Sequence, residues 1–394
     1  MHILMLPSWY MPHGGQFVRN QAQALKEKGF TVNILANVQT ALTLDKSKYF
    51  TFPFCSFVSE EDNLTVFRCY SRDLPKLSRI NAKIWVKNTV KLFEKYLQEF
   101  GKPDIIHAHT ANYGGYVAAL IKKKYGIPYI ITEHRSIMSY LCEHSRKSFE
   151  NWHAPYYSRA YSNADYITPV SKLQIPKIKT FLTREVPIVP VTNVINTDFF
   201  HFKERKNNTE KIKFVTVNGF YFNKSYDILI PAFDAACDKN PNIAINVVGE
   251  NFEKKEFLNK LWKNVKNKDK ISFTGELTAE GVRNELWQAD CYIMPSRAEG
   301  QPQATLEALC TGLPMVCTNV IPDNVATAEN SIMIQMENIE LMTEAILKLS
   351  DTYKNYNNKA ISENAVNICG KEAFTKAIID VYKQVLGKEL GVRN

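Results

Sequence analysis

The sequence predicts an α/β protein of two doubly wound, parallel-sheet domains facing a cleft. Three observations carry that expectation. Short apolar runs alternate with stretches of helical periodicity from His2 to the C-terminus. The chain has 394 residues, too many for one compact core. A strongly polar stretch, 202–213, separates two halves that share the same βαβ rhythm. The expected division is one domain over 1–203, a second over 204–370, and a helix over 371–394 that returns to the first domain.

Taken in order, 2–6 reads as a strand, 7–15 as a loop and 17–28 as a helix ended by Gly29. Strands follow at 31–36, and near 50–54 and 64–69. Between Arg72 and Tyr96, basic residues recur every three or four positions, Lys83, Lys87 and Lys91 among them. Val86, Val90, Phe93 and Leu97 recur on another face, so the segment reads as an amphipathic helix with a basic stripe. A solvated face is the plainer reading of that stripe. The sharper one is contact with an anionic membrane surface or a lipid-phosphate acceptor. Strands are expected at 104–109, 128–132 and 186–191, with a helix over 113–125. In the second half, strands are expected at 214–218, 244–248, 271–274, 291–294, 315–318 and 332–334. Helices fall at 226–239, 253–264, 280–288, 304–310 and 339–349, with a last one over 371–386.

Composition narrows the function. A net charge of +9 with 40 acidic residues is a mild bias, compatible with an anionic ligand or membrane surface. No arginine-rich arm, helix-turn-helix or zinc-knuckle spacing is present, so no nucleic-acid partner is expected. The eight cysteines include no C-x-x-C pair and read as buried, reduced thiols of a cytosolic protein. The apolar start lacks a basic leader and is stopped by Pro7 and Pro12, which suits a first strand rather than a signal peptide. No apolar run approaches the ~20 residues of a membrane span. The expected location is cytoplasmic, with peripheral contact at the inner membrane face through the basic helix.

Chemistry concentrates at predicted strand ends. After the strand at 291–294 comes Ser296-Arg-Ala-Glu299-Gly300-Gln301-Pro302-Gln303-Ala304-Thr305-Leu-Glu307, a loop opening a helix. Unpaired N–H groups and the positive end of such a helix can hold an anion. The carboxylates of Glu299 and Glu307, eight residues apart, can hold sugar hydroxyls. By spacing alone, the plainer reading is an ordinary loop with a surface carboxylate and a dipole-compensating one. Gly14-Gly15 lets a backbone approach a phosphate, or simply makes a tight turn. Lys224, in the loop after the strand at 214–218, can neutralise a diphosphate, though a lone lysine reads as surface. His134 ends a strand beside Glu133, where a structural histidine is the plainer reading. His107 and His109 lack a third ligand of recognisable spacing, so no metal is expected. No Asp-x-Asp, Walker or G-x-G-x-x-G sequence occurs.

Together these features resemble the family-4 retaining glycosyltransferases, which have the GT-B fold of two Rossmann-like domains around an interdomain cleft. The most specific match is Glu299 to Glu307, the family's E-x7-E motif, preceded by Pro295-Ser296 and followed by Gly312-Leu-Pro-Met-Val316. Supporting matches are Gly14-Gly15, His107-Ala-His109, Thr132-Glu-His134, Val170-Ser171, the 193–198 segment, Lys224-Ser225, Val248-Gly249 and Phe273-Thr-Gly275. The resemblance implies that Glu307 takes the ribose hydroxyls and Glu299 those of the transferred sugar. It implies a diphosphate held by the loop Gly300-Gln301 and the N–H groups of Gln303, Ala304 and Thr305, with Lys224 stabilising its departure. Gly14 and Gly15 would approach from the other domain, His134 would lie beside the donor sugar, and Leu277 would border the base. One departure stands out: the arginine that often precedes the lysine by five residues is Gly219 here, with Arg297 or Arg19 as candidate replacements.

The expected activity is retaining transfer of a hexose from a nucleotide-diphosphate sugar, a UDP-sugar first, to a glycan or lipid-linked acceptor in surface polysaccharide synthesis. Neither a metal nor a cofactor is expected beyond the donor, which is a substrate. A UDP-sugar epimerase of the same fold and a non-catalytic subunit of a polysaccharide-assembly complex are the alternatives. The base, sugar, acceptor and linkage have no defining signature in the sequence.

Overall fold

In the computed structural model, the described residues are 1–42, 46–51, 56–134, 152–205, 211–250 and 256–387. Their contacts divide into two compact units, one running to Val194 and resuming at Glu372, the other Ile195–Lys371. Each is an α/β sandwich of its own. Part of the polar stretch 202–213, residues 206–210, lies outside the described residues, as does most of the segment after His134.

The first unit holds a seven-stranded sheet: β1 (His2–Pro7), β2 (Thr31–Ala41), β3 (Ser56–Glu61), β4 (Leu64–Asp73), β5 (Ile105–His109), β6 (Tyr129–Glu133) and β7 (Tyr166–Pro169). Their order is β3-β4-β2-β1-β5-β6-β7. All neighbours are parallel except β3 and β4, an antiparallel hairpin at one edge. Its two-residue turn, Asp62-Asn63, has φ of 48° and 63°, which matches the strand twist and suits these two residue types. The helices are α1 (Gln16–Glu27), α2 (Lys46–Thr51), α3 (Ser78–Phe100), α4 (Tyr116–Tyr125), α5 (Ala154–Asn163) and α6 (Ile175–Lys179).

The second unit holds six parallel strands: β8 (Ile212–Val217), β9 (Ile243–Val248), β10 (Ile271–Gly275), β11 (Cys291–Met294), β12 (Met315–Thr318) and β13 (Ser331–Ile334). They lie in the order β10-β9-β8-β11-β12-β13. Helices α7 (Tyr226–Lys239), α8 (Glu256–Asn264), α9 (Ala279–Gln288), α10 (Gln303–Cys310), α11 (Ile339–Thr352) and α12 (Asn358–Cys369) cover it, and α13 (Lys371–Leu386) follows. Burial on both faces explains the unbroken apolar runs of β11 and β12. One face packs Phe214, Phe233, Ile245 and Ile346 together. The other packs Val215, Leu306, Met315 and Cys369. The six described cysteines are all buried and free.

Four local expectations are corrected. Phe50 lies in α2, not in a strand. Residues 186–191 make one bridge, Ile188 to Ile167, with Val189 and Val191 N–H donating to the carbonyls of Ile167 and Pro169; Pro187 has no N–H to extend the ladder backwards. The basic helix begins at Ser78, so Arg72 belongs to β4 and Lys76 to a turn with φ of 61°. The face that α3 buries is Trp85, Thr89, Leu92, Phe93 and Tyr96, rotated from the valine stripe. Thr89 is drawn inward because Asn37 Nδ2 donates to its hydroxyl (2.9 Å). Among the elements absent from the sequence reading are β3, whose signal is Asp62-Asn63, and α12, signalled by Asn357, whose side chain caps it.

The helix α13 closes the first core. Phe374, Ile378 and Tyr382 pack with Ile3, Met5, Val18, Leu25 and Val194. Tyr382 also shares a hydrogen bond with His107 Nδ1 (2.7 Å), and His107 Nε2 shares one with Thr132 Oγ1 (2.6 Å). Burial drives the His107 imidazole down to about 3, so it is neutral and needs both partners. Tyr382→Phe is therefore expected to destabilise the first unit by about 1–3 kcal/mol, the cost of an unsatisfied buried polar group. Urea unfolding followed by tyrosine and tryptophan fluorescence checks this. An unchanged midpoint would show that the bond contributes nothing.

Candidate active site

In each sheet the strand order reverses at one place, between β1 and β5 and between β8 and β11. Loops leaving the carboxyl ends of such strands diverge to opposite faces and open a crevice where ligands bind. In the second unit these loops are the segments 218–225 and 295–302. A backbone hydrogen bond from Arg297 N–H to the Asn223 carbonyl (2.8 Å) ties them together. The Asn223 side-chain amide donates to the Ala298 carbonyl (3.4 Å). Arg297 forks onto Asp227 in the first turn of α7 (2.8 and 2.6 Å), donates to Glu337 (2.6 Å) and stacks over Phe222 (4.4 Å).

This arrangement sets Lys224 against Glu299. Lys224 sits at the end of a single 3-10 turn, Phe222–Lys224, and the buried Ser225 beyond it takes a left-handed φ of 52°. Lys224 Nζ donates to Glu299 Oε1 at 2.6 Å, with side chains only 16% and 8% exposed. Removing one member of so enclosed a pair strands the other charge.

Four residues beyond Glu299, α10 begins. Its N-cap is Pro302, with no side-chain cap. Thr305 N–H and Leu306 N–H donate to the Pro302 carbonyl (3.2 and 3.3 Å). Among the described residues, no hydrogen bond uses the N–H of Gln303 or Ala304. These donors and the helix dipole form a ready anion cradle. Gly300 and Gln301 are buried in the loop that leads to it. Glu307, one turn into α10, is half-buried without an ion pair among the described residues. Burial pushes its carboxyl up to about 7. Leu277, 37% exposed, lies in the loop between β10 and α9, past Gly275 with φ of 74°.

The position of the family's arginine is filled differently. A Cβ on Gly219 would lie 2.5 Å from the Tyr221 ring and 3.1 Å from Glu250 Oε1. The aromatic ring thus occupies the space that a side chain would need. Arg297 is committed to Asp227 and Glu337, and Arg19 pairs with Asp62, so neither is an idle cation.

In the first unit, the loop after β1 carries Gly14 and Gly15, both left-handed at φ of 92° and 85°. A Cβ on Gly15 would meet the Trp9 carbonyl at 2.9 Å, so the turn and the close approach both require glycine. Gly15 starts α1, and Phe17 two residues on stacks against His134 at 3.8 Å. His134 Nε2 hydrogen-bonds His109 Nδ1 (2.9 Å). Burial first, then the neighbouring His107, holds His134 well below the ordinary histidine range, while a contact with Asn193 acts the other way. It is a neutral imidazole. Ser8 binds the β1 and β5 ends together, its N–H donating to the His109 carbonyl (3.2 Å). Just beyond β5, Thr110 and Tyr113 have φ of 69° and 63°, strained values of the kind that cluster at ligand sites. Lys83, Lys87 and Lys91 are carried by α3 beside β2 and β4, apart from these loops.

The second unit thus gathers Lys224, Glu299, Gly300, Gln301, Gln303, Ala304, Thr305 and Glu307, and the first gathers Gly14, Gly15 and His134. Sequence reasoning missed Asn223, Asp227 and Phe17 as supports. Their signals are an acid in the first turn of α7 and an aromatic two residues after a double glycine. Among the described residues, no cluster of three metal-ligating side chains occurs.

Residues 14–199 match the family model described as Glycosyltransferase Family 4, and residues 197–367 match that described as Glycosyl transferases group 1. An uncharacterized glycosyltransferase of Methanocaldococcus jannaschii is 24% identical over 386 residues, covering 96% of this chain and 97% of that one. The putative teichuronic acid biosynthesis glycosyltransferase TuaC of Bacillus subtilis is 23% identical, covering 87% of this chain and 86% of that one. Among solved structures, sucrose-phosphate synthase from Thermosynechococcus elongatus superposes with a TM-score of 0.79 at 16% identity, covering 98% and 100% of the two chains. Anabaena HepE in complex with UDP does so with 0.72 at 13%, again covering 98% and 100%. With the GT-B fold in place and each half matched by a glycosyltransferase model, the chain is a family-4-type glycosyltransferase.

Proposed function

We propose that this protein is a retaining hexosyltransferase that moves a sugar from a UDP-sugar to a glycan or lipid-linked acceptor in surface polysaccharide synthesis. The observation that carries the reading is the Lys224–Glu299 pair at the β8/β11 reversal, beside the uncapped start of α10. HepE with bound UDP and the teichuronic acid relative support the choice of donor and setting.

In this proposal the diphosphate sits on the Gln303 and Ala304 N–H groups. The bond from the sugar C1 to the diphosphate oxygen breaks, and a bond from the acceptor oxygen to C1 forms on the same face. The acceptor's proton passes to a diphosphate oxygen. Negative charge grows on the leaving group, and Lys224 is held by Glu299 where that charge develops. The same cation and helix end supply the countercharge that a divalent ion gives in other transferases, so none is required. Glu299 orients the sugar hydroxyls and Glu307 those of the ribose. The neutral His134 offers a hydrogen bond to the sugar and carries no charge near pH 7.

Glu299→Ala is expected to abolish transfer in a folded protein, and Lys224→Ala to slow it by about 10²–10³-fold. Transfer to a surface-glycan acceptor, read by mass spectrometry with NMR of the new anomeric bond, checks both. An unchanged rate in Glu299→Ala would sink the site, and an inverted product would sink the mechanism. UDP-sugar turnover that needs no acceptor would instead indicate epimerisation. A chelator is expected to leave the rate unchanged.

Glu307 gives a pH prediction. Its carboxyl is half protonated near pH 7 in the free protein. Ribose hydroxyls donate to the ionised form and favour it. Affinity for a UDP-sugar, whose diphosphate does not titrate near neutrality, should therefore rise as pH climbs through about 7 and level off above it. Binding at pH 7 should release up to ~0.5 proton. Calorimetry in two buffers of different ionisation enthalpy measures that release, and Glu307→Gln should remove it. Proton uptake instead would overturn the ribose assignment.

A further inference from the structure

The basic stripe of α3 remains outside the donor chemistry. Lys83, Lys87, Lys91 and Lys95 follow one another at i, i+4 and are all exposed. Each like-charge step costs the helix a few tenths of a kcal/mol. Among the described residues, no ion pair within 4 Å involves Lys83, Lys87 or Lys91; Lys91 feels Glu94, one turn away, whose carboxylate is itself paired with Lys124.

Three of these lysines, 87, 91 and 95, stand over a cavity of ≈ 540 Å³ between α3 and the β3–β4 edge. Its floor is apolar, formed by Cys69, Ile84 and Leu92. Lys95 Nζ reaches Ser56 Oγ at 3.1 Å across its mouth. Val58, two residues along β3 from Ser56 and so on the same sheet face, is 41% exposed. One turn before Ile84, Ile80 is 46% exposed. Val58 and Ile80 are thus exposed large apolar side chains that strand and helix periodicity set beside this groove. A purely solvated basic face needs no such apolar margin.

We infer that this groove docks the protein on an anionic lipid bilayer, with a lipid phosphate headgroup seated under Lys87, Lys91 and Lys95. The cavity suits a phosphate and the first methylenes below it, and its residues are none of those assigned to the donor. The apolar margin would enter the headgroup layer while the lysines meet its negative surface potential. The inference goes beyond the proposed reaction and does not depend on it.

Co-sedimentation of the full chain with vesicles tests it. Binding to equimolar phosphatidylcholine and phosphatidylglycerol is expected, with little to phosphatidylcholine alone. Each lysine near an anionic surface is worth roughly fivefold, so K87Q/K91Q/K95Q should weaken binding by about 100-fold. The control K263Q/K266Q/K268Q removes the same charge from the second unit and should change it by less than about fivefold. Equal losses in both variants would show a net-charge effect and overturn the groove. So would unchanged binding in the first variant, or displacement of the wild type by millimolar glycerol phosphate, which would mark a free-phosphate site instead. UDP-sugar thermal shifts on the same proteins read donor binding separately. A shift kept while vesicle binding is lost supports the groove. The absence of a shift in every protein would count against the transferase reading alone.

Discussion

The reversal of strand order between β8 and β11 is the constraint on which the Lys224–Glu299 site rests. Parallel strands leave their carboxyl ends at one edge, and at a reversal the connecting loops diverge. Here the diverging loops are joined again by one backbone hydrogen bond, Arg297 N–H to the Asn223 carbonyl, and by the Arg297 fork onto Asp227. Lys224 and Glu299 are 75 residues apart in the chain, and their 2.6 Å contact follows from that joining. An arginine with several donors in a rigid plane can serve Asp227, Glu337 and the Phe222 carbonyl at once, which a lysine could not.

Glu299 and Glu307 have different electrostatic surroundings. Glu299 has a cation in contact, whereas Glu307 has no ion pair among the described residues, and burial lifts its carboxyl toward neutrality. A carboxyl that titrates near pH 7 couples readily to hydroxyl donors, because small interactions decide its ionisation. The histidines of the first unit show the same logic in reverse. His107, His109 and His134 are all buried and held neutral, joined to hydroxyls and to one another. His109 and His134 pair, uncharged, at the ends of β5 and β6, with His107 behind them in the middle of β5. A charged cluster there would be destabilised by desolvation and mutual repulsion.

The first unit also shows how a helix divides its faces. α3 buries Trp85, Leu92 and Tyr96, and it places polar Asn81 and Thr89 inward where Asp73 and Asn37 await them. Its lysines are left on the outer face above the edge hairpin β3–β4. That edge is short, twisted by its two-residue turn and lined with charge, features that discourage pairing with another strand.

The sequence by itself determined the two α/β halves, most strand positions and the loops that carry chemistry. Hydrophobic period and glycine placement are local signals, and burial on both sheet faces makes β11 and β12 unmistakable as apolar runs. The motif Glu299–Glu307, Lys224 and Gly14-Gly15 were legible because each lies at a strand end. Tertiary structure decided the rest, since it depends on partners distant in the chain. Arg297 turned from candidate phosphate ligand to loop clamp only because Asp227 and Glu337 stand beside it. Residues 186–191 make a single bridge beside β7, where Pro187 has no N–H to extend the ladder. The buried face of α3 rotated away from its valines because Asn37 on β2 and the polar Thr89 satisfy each other inside. Periodicity reports which side chains are apolar, whereas the facing surface decides which of them are buried.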